Sequence, residues 1–200
     1  MNDPIIHRDR YLQKLIDRKG NGLIKVITGI RRCGKSFLLF ELFYSHLIES
    51  GVKPEQIISI ALDDDMFAEY RDPSKLSEYI RSRITGTDMH YILIDEVQYA
   101  ISKEELRDPD EIRLYNVLNG IMRLRNMDIY VTGSNSKMLT RDVRTAFRGR
   151  GDEVRVYPLS FSEYYAYVGG VQVIEGKISK WNTYSEAYDA AKRWIKKTKE

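Results

Sequence analysis

The chain of 200 residues is long enough for one α/β domain, or for one domain with a short appendage, and 42% of its residues are hydrophobic, enough to form a core. No apolar run approaches the roughly 18 residues of a membrane-spanning helix, which excludes a membrane-embedded class. A single cysteine excludes an internal disulfide framework, and residues 1–4 do not start a secretory signal. We therefore expect a cytoplasmic protein in a reducing environment.

The first third of the chain predicts a helix, a strand and a second helix. Residues 9–19 have the apolar spacing of an amphipathic helix, which the Gly20-Asn21-Gly22 stretch ends. An apolar strand at 23–28 leads into residues 29–36, which we call the glycine loop. A helix then runs to about residue 50, where Gly51 stops it.

Strands and helices keep alternating along the rest of the chain. Apolar runs predict strands at 56–62, 91–94, 128–132 and 153–157, and helical spacing predicts helices at 74–84, 110–125 and 158–167. The strand at 91–94 is continuously apolar, which indicates burial on both faces. This alternation predicts a doubly wound parallel sheet with helices on both faces, whose ligands bind at the carboxyl ends of the strands.

The pattern changes after residue 170. A short strand at 171–174 and a helix at 184–197 are predicted, and residues 171–200 hold seven Lys or Arg against four Asp or Glu. The whole net charge of +3 is therefore carried by this tail. A basic tail can contact nucleic acid or anionic lipid, but it is more often a solvated helix face.

The glycine loop fits the pattern G-x-x-x-x-G-K-[ST] without a mismatch, between a predicted strand and a predicted helix. Gly29 and Gly34 allow close backbone approaches, Lys35 is placed to reach the β- and γ-phosphates, and Ser36 to hold Mg²⁺. Cys33 is a small loop filler or an oxidisable thiol. The predicted nucleotide-binding residues are Gly29, Ile30, Arg31, Arg32, Cys33, Gly34, Lys35, Ser36 and Phe37.

An Asp-Glu pair ends the strand at 91–94. Downstream of a glycine loop this is typical of a Walker B motif, with Asp95 in the Mg²⁺ shell and Glu96 activating the attacking water. On its own the pair is better explained as a solvated strand end. A P-loop kinase is a rival interpretation, but an adjacent Glu favours water as the acceptor.

Polar residues also end the strand at 128–132. Ser134 and Asn135 are candidates for sensing the γ-phosphate, and a Gly-Ser-Asn turn explains them without function. Among the arginines that follow, Arg144, Arg148 or Arg150 is a candidate finger that neutralises charge on the γ-phosphate, in this chain or in a neighbouring subunit. Each is also explained as part of a basic surface loop.

Several motifs in order resemble the prokaryotic AAA-type ATPases that usually carry a C-terminal domain of unknown function. The resemblance spans about residues 5–168 and rests on Gly-Ile-Arg-Arg-Cys-Gly-Lys-Ser, Ile-Leu-Ile-Asp-Glu-Val-Gln, Val-Thr-Gly-Ser-Asn-Ser-Lys-Met-Leu and Arg-Gly-Arg with Tyr-Pro-Leu-Ser-Phe-Ser-Glu-Tyr. It implies an AAA+-like fold with one strand inserted between the Walker strands. It also implies ATP hydrolysis with Glu96 as base. Asn135 matches the family's Gly-Ser-Asn sensor stretch, and Arg150 matches the arginine of its Gly-Arg pair just before the fifth strand.

The sequence thus predicts an AAA+-like, ATP-binding core at 1–168 and a short basic appendage at 169–200, the start of a lid or effector domain. The expected ligands are ATP and Mg²⁺, with hydrolysis by in-line water attack. The alternative is a nucleotide-dependent switch or scaffold with little turnover. A homo-oligomer and a protein or DNA partner are candidate assemblies, and no membrane partner is expected.

Overall fold

A computed structural model describes residues 6, 8–105, 112–133, 147, 149–160 and 163. Arg10–Tyr157 forms one compact unit that contains the sheet, and Met1–Asp9 groups with Pro158–Glu200 in another. The predicted boundary between 168 and 169, the predicted strand at 171–174 and the predicted helix at 184–197 lie outside the described residues and stay predictions.

The core of the larger unit is a five-stranded parallel sheet. Its strands are β1 (Ile24–Thr28), β2 (Ile57–Ala61), β3 (His90–Asp95), β4 (Met127–Thr132) and β5 (Gly151–Arg155), in the spatial order β2-β3-β4-β1-β5. β4 therefore separates β1 from β3, as the resemblance implied. Every residue of β1, β3 and β4 is buried, so the three central strands carry the sheet's core on both faces.

Helices cover both faces of this sheet. On one face α4 (Pro73–Arg83) and α5 (Arg113–Ile121) pack on alternate strand residues such as Ile92 and Ile129. On the other face α1 (Asp9–Ile16) and a continuous helix over residues 35–49 pack on Leu93 and Tyr130. That second helix comprises α2 (Lys35–Phe37), a π-helical stretch (Leu38–Phe43) and α3 (Tyr44–Glu49). The predicted fold class is confirmed.

Element boundaries differ from the predictions where turns and caps decide them. The helix predicted at 74–84 starts at Pro73 because Asp72 accepts hydrogen bonds from the backbone N–H groups of Ser74 and Lys75. The strand predicted at 153–157 is displaced toward Gly151, which pairs with Ile24. α1 ends at Ile16 and α5 runs from 113 to 121, both shorter than predicted.

Within the described part of the chain, three short 3₁₀ helices were not predicted. They are Pro54–Gln56, Asp65–Arg71 and Val97–Ala100. In the second, the Arg71 guanidinium donates to the carbonyl oxygens of Leu62 and Asp63, at 2.7 and 3.2 Å. The acidic stretch Asp63-Asp64-Asp65, which follows β2, is therefore part of an ordered turn.

A buried ion pair lies toward the amino end of the sheet. Lys25 and Asp128 form a salt bridge, and both side chains are almost completely buried. The Asp128 carboxylate also accepts hydrogen bonds from the Tyr130 hydroxyl and the Gly20 backbone N–H, each at 2.9 Å. Burial lowers the pKa of Lys25, while the Asp128 carboxylate opposes that shift. The pair ties the turn after α1 to β4.

The smaller unit is described at few residues. In it the buried Arg8 guanidinium contacts the Glu163 carboxylate at 3.1 Å. Glu163 and Ser160 exchange reciprocal backbone–side-chain hydrogen bonds of 2.7 and 3.2 Å, which is the capping box of a helix start. This supports the start of the helix predicted at 158–167, whose remaining residues lie outside the described set.

Candidate functional site

The glycine loop connects the carboxyl end of β1 to the helix over residues 35–49. Gly29 has φ +154°, and a Cβ there would lie 2.3 Å from the Val156 carbonyl oxygen. Gly34 adopts a left-handed conformation, with φ 86° and ψ 26°, directly before the helix. A side chain at Gly29 would collide with backbone, and one at Gly34 would be strained, so both positions of the motif need glycine.

The helix that follows the loop presents its amino end to this edge of the sheet. The first turn of a helix has backbone N–H groups without intrahelical acceptors, and Gly34 has no side chain to cap them. The helix dipole adds partial positive charge at the same point. Loop and helix start together form a binding site suited to an anion such as a phosphate.

Lys35 lies at the centre of this anion site. Its side chain is buried, and its Nζ donates to the carbonyl oxygens of Ile30 at 3.1 Å and Gly29 at 3.3 Å. The ammonium group is therefore held against the loop backbone by neutral acceptors. It can exchange these for phosphate oxygens without leaving the loop.

Asp95 joins the glycine loop to the two neighbouring strands. Its carboxylate accepts a hydrogen bond from the Thr132 hydroxyl, and the Ser36 hydroxyl lies close enough to interact with it. Burial raises the pKa of Asp95, the Ser36 and Thr132 hydroxyls oppose the rise, and the charges of Glu96 and Asp63 add to it. A buried carboxylate of this kind is stabilised when a cation lies beside it.

Glu96 follows in a constrained backbone conformation. It has φ 53° and ψ 49°, in the left-handed region that residues with a Cβ rarely adopt. Its backbone N–H donates to the Thr132 hydroxyl oxygen at 3.3 Å, and its carboxylate accepts a hydrogen bond from the Gln98 amide. This turn directs Glu96 away from the line of β3, so adjacent carboxylates can face different groups.

The side chains of the remaining predicted nucleotide-binding residues differ in their exposure to solvent. The side chains of Ile30, Arg31 and Arg32 are exposed, as are Ser36 and Phe37. Cys33 is buried and packs in the apolar cluster beneath α1 and the helix over residues 35–49. This favours the interpretation of Cys33 as an apolar loop filler.

Of the predicted sensor and arginine residues, only Arg150 is among the described residues, and it is not at the loop. Ser134, Asn135, Arg144 and Arg148 lie outside the described residues, so their assignments stay predictions. Arg150 is described, and it precedes β5 at the amino end of the sheet, where its carbonyl oxygen accepts from the Ile24 N–H at 2.7 Å. Ile24 lies five residues before Gly29, so roughly 16 Å of chain, at about 3.3 Å per residue, separates this contact from the glycine loop.

Thr132 and Gln98 were not assigned as site residues from the sequence. Thr132 bonds to both members of the Asp-Glu pair because β4 lies beside β3, with Val131 paired to Ile94. The signal in the sequence was a polar residue, Thr132, at the end of an apolar strand. Its contact with the Asp-Glu pair follows only once the strand order places β4 beside β3. The signal for Gln98 was its place two residues after Glu96.

The donor set at this edge fits a magnesium ion held jointly with phosphates. The described residues contain no cluster of three or more His, Cys, Asp or Glu side chains that could enclose a metal by themselves. Mg²⁺ at nucleotide sites uses one or two protein oxygens, with waters and phosphate oxygens completing the octahedron. The Ser36 hydroxyl and the Asp95 carboxylate, already in contact, are such a pair.

Comparison with protein families gives a direct match. Residues 21–165 match the family AAA_14, described as an AAA domain. The chain belongs to this family. The matched segment contains the glycine loop, the Asp-Glu pair and all five strands, so this AAA domain contains the site described above.

Two curated relatives match most of this chain. An uncharacterized protein of Haemophilus influenzae is 32% identical over 165 residues, which cover 82% of this chain and 38% of the relative. The uncharacterized protein MJ1544 of Methanocaldococcus jannaschii is 28% identical over 169 residues, covering 82% of this chain and 32% of the relative. The chain thus spans about a third of the length of these relatives.

Solved structures share the fold at low identity. C. elegans PCH-2 has a TM-score of 0.56 and 18% identity, covering 83% of this chain and 46% of that one. Domain III of Thermotoga maritima DnaA has a TM-score of 0.53 and 15% identity, covering 84% and 70%. A replication initiator DnaA bound to AMPPCP and single-stranded DNA has a TM-score of 0.53 and 17% identity, covering 86% and 52%.

Family and fold together support a nucleotide-binding module of the AAA+ type. The expected C-terminal domain of unknown function stays a prediction. Among the described residues, no helix has the length and apolarity needed to span a membrane.

Proposed function

We propose that this AAA domain binds ATP with Mg²⁺ and hydrolyses it by in-line attack of water on the γ-phosphate. One observation carries the proposal: the carboxylate of Asp95, at the end of β3, lies close enough to interact with the Ser36 hydroxyl of the glycine loop, beside the buried Lys35. A phosphate-binding loop and an acidic strand end are thereby joined into one site. Chemistry at the γ-phosphate needs these two parts together.

The loop and Lys35 bind the phosphates in this proposal. Backbone N–H groups at the start of the helix contact the phosphate oxygens, and the Lys35 ammonium moves from the Gly29 and Ile30 carbonyl oxygens to the β- and γ-phosphates. The exchange replaces neutral acceptors with charged ones, which form stronger hydrogen bonds. Ser36 and Asp95 would hold Mg²⁺, which would neutralise charge that develops on the phosphates.

Glu96 acts as the general base. Its carboxylate accepts a proton from the attacking water as the new bond to the γ-phosphorus forms and the bond to the β-phosphate oxygen breaks. The products are ADP and inorganic phosphate. The left-handed backbone at Glu96 supports this role, since it separates the direction of its side chain from that of Asp95.

Asn135 and Arg150 have roles beyond this core. We assign Asn135, three residues past the end of β4, to sensing the γ-phosphate. We assign Arg150 to the nucleotide of a neighbouring subunit, because β1 separates it from the glycine loop of its own chain. This assignment makes a homo-oligomer the active form, with a protein or DNA as the candidate partner.

Phosphate release tests the hydrolysis proposal. With the wild-type chain, ATP and Mg²⁺, we expect continuous release of phosphate that stops on chelation of Mg²⁺. Replacing Glu96 by Gln removes the base but keeps the shape of the side chain. We therefore expect the rate of phosphate release to fall about 100-fold or more while the affinity for ATP is unchanged. The control is Glu55→Gln, an exposed Glu before β2, with unchanged release.

Two results contradict the proposal. A Glu96→Gln variant with full phosphate release removes Glu96 as the base. Transfer of the γ-phosphate to a small-molecule acceptor, without free phosphate, identifies a kinase instead. ATP binding without turnover in the wild-type chain, tested with and without DNA, supports the switch or scaffold alternative.

A further inference from the structure

The carboxylate of Glu96 is paired with a side chain that lies only two residues away. The Nε2 of Gln98 donates a hydrogen bond to the Oε2 of Glu96. We propose that Gln98 is a positioning residue that sets the orientation of the Glu96 carboxylate for water activation. This inference rests on the proposed function, since it concerns how the general base is held.

Gln98 lies on a short helix that is anchored in the core. It belongs to the 3₁₀ helix Val97–Ala100, whose Val97 and Ala100 side chains are 1% and 3% exposed in the apolar core. The turn is closed by the Tyr99 N–H donating to the Glu96 carbonyl oxygen at 3.1 Å and the Ile101 N–H donating to the Gln98 carbonyl oxygen at 3.2 Å. Side chains on such a platform have few alternative positions.

The backbone of Glu96 is fixed from the other side. Its N–H is bonded to Thr132 on the neighbouring strand, and its φ of 53° is set by the turn. The remaining freedom lies in the side-chain torsions of Glu96, and the Gln98 amide restrains those. A carboxylate has about four acceptor positions, so the bond to the amide occupies only part of its accepting capacity.

The chemistry explains why an amide is suited to this position. An amide N–H₂ orients a carboxylate by a hydrogen bond without neutralising it as a cation would, so the carboxylate stays available as a base. A general base misplaced by about 1 Å can lose about 10² in rate. The Gln98 amide bonds to Glu96, the residue assigned to activating water, so its removal is expected to change kcat more than KM.

The test is steady-state ATP hydrolysis by the full chain with Gln98→Met. Methionine is close in size and unbranched but has no N–H donor. We expect kcat to fall about tenfold to 100-fold, with KM for ATP within about twofold of wild type. The matched control is Gln13→Met on α1, which also removes a Gln-to-carboxylate hydrogen bond, here to Asp17 at 2.7 Å. It should leave both constants unchanged.

A double-mutant cycle separates positioning from a general structural effect. In the Glu96→Gln background, Gln98→Met should reduce single-turnover hydrolysis no further, because the residue acts through Glu96. The near-isosteric Gln98→Glu replaces the attraction by repulsion between carboxylates, and we expect it to lower kcat at least as far. Melting temperatures of all variants identify any that fail to fold.

The inference is overturned if Gln98→Met or a folded Gln98→Glu turns over like wild type. It is also overturned if Gln98→Met lowers hydrolysis by the same factor with and without Glu96. Failure of the proposed function is a separate outcome: the wild-type chain itself would then release no phosphate, or Glu96→Gln would be fully active.

Discussion

At the scale of single residues, the site depends on hydroxyl groups as much as on charges. Thr132 is completely buried; its hydroxyl donates to the Asp95 carboxylate and accepts from the Glu96 N–H. The Ser36 hydroxyl of the glycine loop lies close enough to interact with the same carboxylate. The Asp-Glu pair is therefore oriented by neighbours that carry no charge, which keeps both carboxylates available to a cation and a water.

Replacing Thr132 by Val tests this arrangement. Valine keeps the shape but removes both hydrogen bonds, so the buried Asp95 loses a donor and the pKa of Asp95 should rise further. We expect a loss of about 1–3 kcal/mol in the free energy of unfolding and a fall in kcat of about tenfold or more. Thermal melting and phosphate release measure the two effects.

The control for this variant is Thr28→Val. Thr28 is also a buried threonine at the last position of a strand, but its hydroxyl donates to the exposed Glu153. Stability should fall in both variants, whereas turnover should fall far more in Thr132→Val. Equal turnover in the two would show that the Thr132 bonds to the Asp-Glu pair do not matter.

At the scale of elements, caps and turns decide where helices begin. α4 starts after Asp72, whose carboxylate accepts from the N–H groups of Ser74 at 2.8 Å and Lys75 at 3.2 Å. These backbone hydrogen bonds lower the pKa of Asp72. α4 covers the same face of the sheet as α5, so its start affects a large part of the apolar core.

The cap predicts a specific pH dependence. A lowered pKa in the folded state means that ionised Asp72 stabilises the fold above its unfolded pKa, near 3.8, and that this contribution is lost as pH falls through the folded value. Asp72→Ala should lower the melting temperature by about 2–4 °C at pH 7. The difference should shrink as the pH falls below about 4.

Asp72→Asn is the matched variant, because the Asn side-chain oxygen can still accept from the helix N–H groups. It should retain most of the melting temperature at pH 7. A gap between wild type and Asp72→Ala that stays constant from pH 7 to pH 3 would contradict the assigned role of the ionised cap.

The elements also show what the sequence could and could not predict. Glycine permits backbone conformations that other residues do not, and a continuous apolar run indicates a buried strand. Both signals are local, so the glycine loop and the buried strand ending at Asp95 could be predicted from the sequence. The roles of Thr132 and Gln98 depend on which strands become neighbours and on a 3₁₀ turn. Neither strand order nor a 3₁₀ turn leaves a periodic pattern in the sequence. The displaced start of β5 likewise depends on its pairing with β1.

At the scale of the whole molecule, the two ends of the sheet differ in chemistry. The carboxyl end gathers the glycine loop and the Asp-Glu pair. The amino end contains the buried Lys25–Asp128 pair and Arg150. We interpret the amino-end ion pair as structural, since it binds the turn after α1 to β4. Its existence was not predicted because each partner, met alone in the sequence, resembles a solvated charge.

The central claim is that residues 29–36 bind the phosphates of ATP. Calorimetric titration of the full chain with ATP and Mg²⁺ tests it most directly, comparing wild type with Lys35→Ala. The control is Lys53→Ala, which removes an exposed lysine before β2. We predict that Lys35→Ala weakens ATP binding by about tenfold to 100-fold while Lys53→Ala matches wild type. Unchanged ATP affinity in Lys35→Ala would contradict the account.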